Sequence, residues 1–174
     1  MVNCEFNVPI GSLDILDICI PDDLKKHPDV NKYFNLNFDH DMDLINDNSY
    51  DMILSNMSLQ WSNDFNKVVK NISHKLMKRG ILAFSVLLDE NFGELENILR
   101  VNNMHSSNFI IECLSNNGFE NIHFYEYKET IKFDSFRSMV KQIKDTGVAS
   151  YTGRDSVTDY SLVKNHLKSK EQFR

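Results

Sequence analysis

The sequence predicts an α/β fold, a doubly wound and mostly parallel sheet followed by a helical segment. Three observations carry that reading. Short apolar segments alternate with amphipathic helical patterns in the order strand, helix, strand, helix, strand. The run Ile81–Leu88 is almost wholly apolar, as suits a strand covered on both faces. Glycine stands just past two helical patterns, at Gly80 and Gly118, where a helix needs a stop.

The first strand is Leu13–Ile20, ended by Pro21, with Asp22 and Asp23 able to open a short helix toward Lys26. Tyr33–Phe38 reads as a second short strand, with Asp39 just past it, and Asp41–Ser49 as a polar loop. Tyr50–Asn56 is the next strand. Asn63 or Asp64 then caps a helix over 64–78, whose apolar positions Phe65, Val68, Val69, Ile72 and Leu76 share one face. Lys75, Lys78 and Arg79 suit its negative end, and Gly80 its stop. After Ile81–Leu88 a helix runs from about Ser107 to Asn117. Ile122–Phe133 reads as a long strand. Asp134 is placed to cap a helix carrying Phe136, Met139, Val140 and Ile143, and a last helix starts near Thr158.

The 174 residues suit a single domain, with an α/β core over 13–133 and a helical substrate or partner insert over 134–170. Hydrophobic residues at 41% and charged residues at 25% exclude a disordered chain. No apolar run approaches the length of a membrane span. Met1–Ile10 lacks the basic start and apolar stretch of a secretory leader. Three separated cysteines give neither a disulfide framework nor a CxxC metal site, so a reducing cytoplasm is expected and no metal is. The net charge of −6 argues against a general nucleic-acid binder. That charge is uneven: residues 1–66 carry 12 acidic and 3 basic side chains, whereas residues 131–174 carry 5 acidic and 9 basic ones. An acidic partner would meet the carboxyl-terminal part first.

Parallel strands joined by right-handed crossovers bind ligands at their carboxyl ends. The residues at issue are therefore Asp17, Asp39 and Ser55–Trp61. Asp17, where the first strand turns out, can accept both hydroxyls of a ribose, and reads equally as a solvated strand end. Asp39 suits an adenine amino group, and reads also as a loop aspartate in an acidic stretch.

The block Asn48–Trp61, NSYDMILSNMSLQW, resembles the "sfDlilSnlalqW" region of class I S-adenosylmethionine-dependent methyltransferases, and Gly80–Ser85 resembles their later "GxlaFs" strand. Within that superfamily the chain is most similar to the malonyl-[acyl-carrier protein] O-methyltransferases of biotin synthesis. Leu59-Gln60-Trp61, Asn91–Leu95 and Lys144–Ala149 carry the narrower likeness. The resemblance implies a Rossmann-like sheet and S-adenosylmethionine as cofactor. It places the ribose on Asp17, the adenine on Asp39, and the methionine part over Ser55 and Asn56, with Trp61 as a wall of the cleft.

Three departures qualify these implications. The family's glycine-rich turn should precede Asp17 by some twenty residues. No GxGxG occurs, so the central strand and its turn are expected to be absent and cofactor binding weak or lost. The chain ends on Ser169–Arg174 without the family's closing strand, and so reads as shortened at both ends. His105-Ser106-Ser107-Asn108-Phe109 stands where the family shows His-x-Asn-Arg-Phe, and Asn108 lacks the charge for a malonyl carboxylate. The acidic carrier protein would dock on Arg137, Lys141 and Lys144, a stripe that is otherwise an ordinary solvated face. A non-catalytic methyltransferase remnant stays open as an alternative. So does another methyltransferase-like protein, acting on a quinone precursor or a respiratory-chain subunit.

Overall fold

A computed structural model describes residues 11–17, 22, 24–26, 28–89, 104–135, 137–139 and 141. The chain divides into two compact units, Met1–Leu54 with Ser62–Ala83, and Ser55–Trp61 with Phe84–Arg174. Its elements are β1 (Leu13–Asp17), β2 (Val30–Asn35), β3 (Tyr50–Asn56), α1 (Phe65–Lys75), β4 (Leu76–Ser85) and α2 (Ser107–Asn116), with three 3-10 turns at Leu24–Lys26, Met42–Leu44 and Leu59–Trp61. The fold is α/β with parallel strands, the incomplete Rossmann-like arrangement that the sequence predicts.

β1 and β2 pair in parallel, with Ile15 opposite Tyr33, Leu16 opposite Phe34 and Asp17 opposite Asn35. β3 and β4 form a second pair. Ser49 N–H donates to the Lys75 carbonyl at one end and Met57 N–H to the Ser85 carbonyl at the other, each at 2.9 Å, so these strands also run in the same direction. The α1 crossover makes that parallel pairing reachable. Among the described residues the expected single sheet is therefore two parallel pairs. Asp14 links them within the first unit. One of its carboxylate oxygens accepts from Asn31 Nδ2 on β2 at 3.1 Å, the other from the Tyr50 hydroxyl at the start of β3 at 2.9 Å. Burial and this carboxylate raise the Tyr50 phenol to a pKa of about 12.

α1 forms where the apolar spacing places it, and Phe65, Val68, Val69, Ile72 and the adjoining Leu76 are all buried. Asp64 is its cap: its side chain accepts from Lys67 N–H at 3.0 Å. The helix ends at Lys75, three residues before the expected Lys78, and Lys78 and Arg79 lie in β4. Gly80 is not the helix stop. The left-handed residue is Arg79, at φ 67°, while a Cβ on Gly80 would lie 2.9 Å from the Met77 carbonyl oxygen. Glycine is there because the backbone folds tightly on itself at the strand's entrance.

α2 matches expectation within a residue. Ser106 caps it by accepting from Phe109 N–H at 3.2 Å. Gly118, at φ 84°, closes it, with Phe119 N–H donating to the Leu114 carbonyl and Gly118 N–H to that of Ser115, a Schellman closure. Three other expectations shift. β2 is Val30–Asn35 rather than 33–38, and Phe38 and Asp39 sit in the turn that follows. β4 starts at Leu76 and ends at Ser85. Ile122–Phe133 is not a strand, and Tyr125 and Tyr127 stand 87% and 86% exposed. Alternating apolar residues make a strand only where a neighbour supplies the ladder.

Ser135, not Asp134, opens the helical turn at 137–139. Its hydroxyl accepts from Ser138 N–H at 3.1 Å while Ser138 Oγ accepts from Ser135 N–H at 3.3 Å, a reciprocal capping box. Residues 18–20, Asn91–Leu95, Lys144–Ala149 and the helix expected from Thr158 lie outside the described residues. Among the described residues, no helix is long and apolar enough to cross a membrane.

Candidate functional site

Asp17 and Asp39 belong to the first unit. Asp17 is the last residue of β1 and is exposed, and its carbonyl accepts from Leu36 N–H at 3.2 Å. Asp39 is buried to 9% exposure. Its turn is shaped by Asn37, whose side-chain oxygen accepts from Asp39 N–H at 2.9 Å and whose own N–H donates to Asp41 at 2.9 Å. The Asp39 carboxylate accepts from Asn63 N–H on both oxygens, at 3.1 and 3.2 Å, and from Asn63 Nδ2 at 2.7 Å. A carboxylate offers about four acceptor directions, so roughly one is left for a ligand. Asp39 thus ties the turn after β2 to the residue before the α1 cap.

Ser55, Asn56 and Trp61 belong to the second unit. Here the carboxyl ends of β3 and β4 lie side by side. Ser85 Oγ donates to Asn56 Oδ1 at 2.6 Å. Met57 N–H donates to both the carbonyl and the hydroxyl of Ser85, at 2.9 and 3.1 Å. Met57 takes φ 53°, a left-handed conformation that a bulky residue adopts only when held there. From its other side, Gln60 Nε2 donates to the Met57 carbonyl at 2.8 Å. The 3-10 turn Leu59–Trp61 closes with Trp61 N–H on the Ser58 carbonyl at 3.0 Å, leaving Trp61 half-buried and Leu59 and Gln60 buried.

Beyond β4, Leu88 bridges to His105, and Asp89 N–H donates to the His105 carbonyl at 3.2 Å. The His105 ring stacks on Phe109 with centroids 4.5 Å apart. Burial lowers its pKa, against the opposing pull of Asp89. Asn108 is exposed on α2. Arg137 and Lys141 are exposed, and Lys144 lies outside the described residues.

An open, polar cleft in the first unit is lined by Asp43, Ile45, Asn46, Asp47, Asn71, His74 and Lys75. It lies at the amino ends of β3 and β4, opposite to where parallel sheets hold ligands. A 2.6 Å ion pair between buried Lys75 and exposed Asp47 occupies it. The hydrogen bond from Lys75 holds the Asp47 carboxyl below its ordinary range, with burial opposing. Among the described residues no three His, Cys, Asp or Glu side chains converge to hold a metal.

Sequence reasoning missed Asn63 and Ser85 as site residues, and it included Gln60 only within Ser55–Trp61, with no role of its own. Ser85 closes an apolar strand beside another strand's end, and that signal alone could have found it. In the sequence Asn63 reads only as a candidate helix cap. Nothing in the letters Leu59-Gln60-Trp61 says that the glutamine is the buried one.

Residues 22–84 match the methyltransferase domain family. The chain is 31% identical over 131 residues to the malonyl-[acyl-carrier protein] O-methyltransferase of Calditerrivibrio nitroreducens, covering 72% of this chain and 50% of that protein. It is 35% identical over 100 residues to malonyl-[acyl-carrier protein] O-methyltransferase 2 of Coxiella burnetii, covering 58% and 40%. Over 47 residues it is 47% identical to the Bacillus anthracis protein of the first name, covering 27% and 18%. Among solved structures, the [4+2]-cyclase SpnF aligns with a TM-score of 0.44 at 19% identity, over 56% of this chain and 35% of that one. The chain spans about half the length, or less, of these curated relatives. Residues 22–84 match a methyltransferase domain, and over the stretches that align the chain is similar to class I S-adenosylmethionine-dependent methyltransferases.

Proposed function

We propose that the chain serves methyl transfer from S-adenosylmethionine to the malonyl carboxylate of malonyl-acyl-carrier protein, a step of biotin synthesis in the cytoplasm. The observation that carries the reading is the cluster Asn56, Met57, Gln60 and Ser85 at the carboxyl ends of two parallel strands, in a chain whose relatives bear that activity's name. The cluster also fits a cofactor, because one buried polar atom in it, Gln60 Oε1, has no partner among the described residues.

When bound, the cofactor supplies an electrophilic methyl group on sulfur. The chain's residues hold and align. Ser55 and Asn56 would lie beneath the methionine part, Trp61 would wall the cleft, and Asp17 and the remaining acceptor direction of Asp39 would take ribose and adenine. A malonyl carboxylate is already ionised near neutral pH, so no side chain must remove a proton. Alignment and exclusion of water are the work left. Arg137, Lys141 and Lys144 would meet the acidic carrier through contacts that mainly raise the association rate.

Binding should be weak. The six glycines, Gly11, Gly80, Gly93, Gly118, Gly147 and Gly153, form no GxGxG turn that would let backbone amides approach a cofactor closely. The test is rescue of a biotin-requiring strain that lacks its own malonyl-carrier methyltransferase. Growth without biotin supports the proposal. Failure by a soluble, folded chain overturns it and favours a non-catalytic remnant, the reading that the engagement of Asp39 by Asn63 would suit.

A further inference from the structure

α2 ends on Asn117-Gly118, the one place in the chain where glycine follows asparagine. The amide carbon of an asparagine side chain is open to attack by the backbone nitrogen of the next residue. A glycine, having no side chain, leaves that nitrogen unshielded. Gly118 is exposed, and a Cβ built on it would meet nothing within 4 Å. The fold nonetheless restrains both reacting groups. Asn117 Nδ2, the group that must leave, donates to the Cys113 carbonyl at 2.8 Å and lies 3.8 Å from the Cys113 sulfur. Gly118 N–H, the group that must attack, donates to the Ser115 carbonyl at 3.2 Å. Asn117 N–H is shared between the carbonyls of Cys113 and Leu114, at 3.2 and 3.1 Å. Asn117 sits at φ −99° and ψ 18°, and ring closure needs the peptide plane before Gly118 turned well away from that ψ. The hydrogen bonds that finish the helix therefore also hold the pair out of reaction.

We propose that Asn117-Gly118 is a site of spontaneous amide modification, with water as co-reactant, gated by opening of the last turn of α2. When that turn opens, the Gly118 nitrogen bonds to Asn117 Cγ. The Cγ–Nδ2 bond breaks, and the side-chain nitrogen leaves as ammonia with the Gly118 amide proton. Water then opens the cyclic imide. Attack at Cγ gives aspartate. Attack at the main-chain carbonyl carbon gives isoaspartate, with the chain rerouted through Cβ and Cγ. Neither product restores the closure. A carboxylate cannot donate to the Cys113 carbonyl, and it sets negative charge at the negative end of the helix dipole. Isoaspartate in addition lengthens the main chain inside the closing turn. The reaction thus makes a reversible opening permanent, in the helix that buries Ile110, Cys113 and Leu114.

The test follows mass and thiol exposure. The parent is held in mildly alkaline buffer, folded in one sample and unfolded by guanidinium chloride in another, and peptide mapping reads the exchange of amide for acid at Asn117. The folded chain should convert more slowly by about tenfold or more, the scale of the two or three hydrogen bonds that opening breaks. Asn117→Asp, which reproduces one product, should let an alkylating reagent reach the buried Cys113 severalfold faster than in the parent, read on the Cys113 peptide. The mass comparison uses the parent alone and decides the matter if the variant does not fold. Equal rates in the folded and unfolded chain, no conversion in the unfolded chain, or unchanged alkylation of Cys113 in a folded variant overturns the proposal.

Discussion

Asn63 donates three hydrogen bonds to the carboxylate of Asp39, two from its backbone N–H and one, at 2.7 Å, from its side chain. The aspartate that the sequence offers to an adenine is therefore first a structural clamp between the turn after β2 and the start of α1. Asp39→Asn replaces one accepting oxygen by a donor that faces Asn63 N–H. It should cost about 1–3 kcal/mol of stability, the desolvation penalty of an unmet buried polar group. Asn63→Ala keeps the backbone bonds and should cost only about 1 kcal/mol. Denaturant unfolding of both variants measures the two values. Equal and negligible losses would show that the clamp contributes nothing.

Gly80→Ala should destabilise by about 1–3 kcal/mol, as overpacking against fixed atoms does. The added methyl meets backbone, the Met77 carbonyl oxygen at 2.9 Å, as well as two carbons of the Leu76 side chain at 3.0 and 3.1 Å. The same change at Gly11, which has nothing within 4 Å, serves as the control and should leave the midpoint of unfolding nearly unchanged.

Tyr50 predicts an alkaline limit. Its pKa is raised to about 12 in the folded chain by burial and by the hydrogen bond to Asp14, against an ordinary value of 10.0 for a free phenol. The neutral phenol is the form the fold favours, so its contribution is whole below pH 10 and lost as pH rises through about 12. Tyr50→Phe should be less stable than the parent at neutral pH and should lose less stability across that window. Parallel pH profiles for the two proteins would contradict the assignment.

Asp47 predicts the opposite slope in acid. Lys75 lowers its pKa below 3.8, so the stability it contributes is present above that value and lost as pH falls through the folded pKa. Asp47→Asn should flatten the acid limb of the stability profile. It should also destabilise the chain at neutral pH, because the buried Lys75 ammonium then faces a neutral partner.

The exposed Arg137 and Lys141 give a prediction about the carrier. Changing both to Glu should weaken binding of acidic malonyl-acyl-carrier protein at low salt, and the difference from the parent should shrink as salt rises. A variant that binds as the parent does would reduce the stripe to a solvated face.

Helical periodicity was legible because it reports burial directly: Val68, Val69 and Ile72 are buried where their spacing puts them. β3 was legible for a similar reason, an apolar middle between polar ends. The termini were less so. Gly80 looked like a helix stop because glycine usually is one, yet here close backbone approach decides its identity and Arg79 takes the left-handed turn. Ile122–Phe133 has strand composition, but pairing is a property of the neighbour and no single segment encodes it. In the candidate site, Asp17, Ser55 and Asn56 followed from strand ends, a local signal. The clamp from Asn63 to Asp39 and the hold of Gln60 on Met57 depend on where loops land, which residue spacing does not reveal.

The most direct measurement is an amide-resolved NMR titration with S-adenosylhomocysteine. The account predicts that the largest shifts fall on Asn56–Gln60 and on Phe84 and Ser85, at the carboxyl ends of β3 and β4. Shifts confined to Asp47, His74 and Lys75 at the opposite ends, or no shift at millimolar ligand, would contradict it.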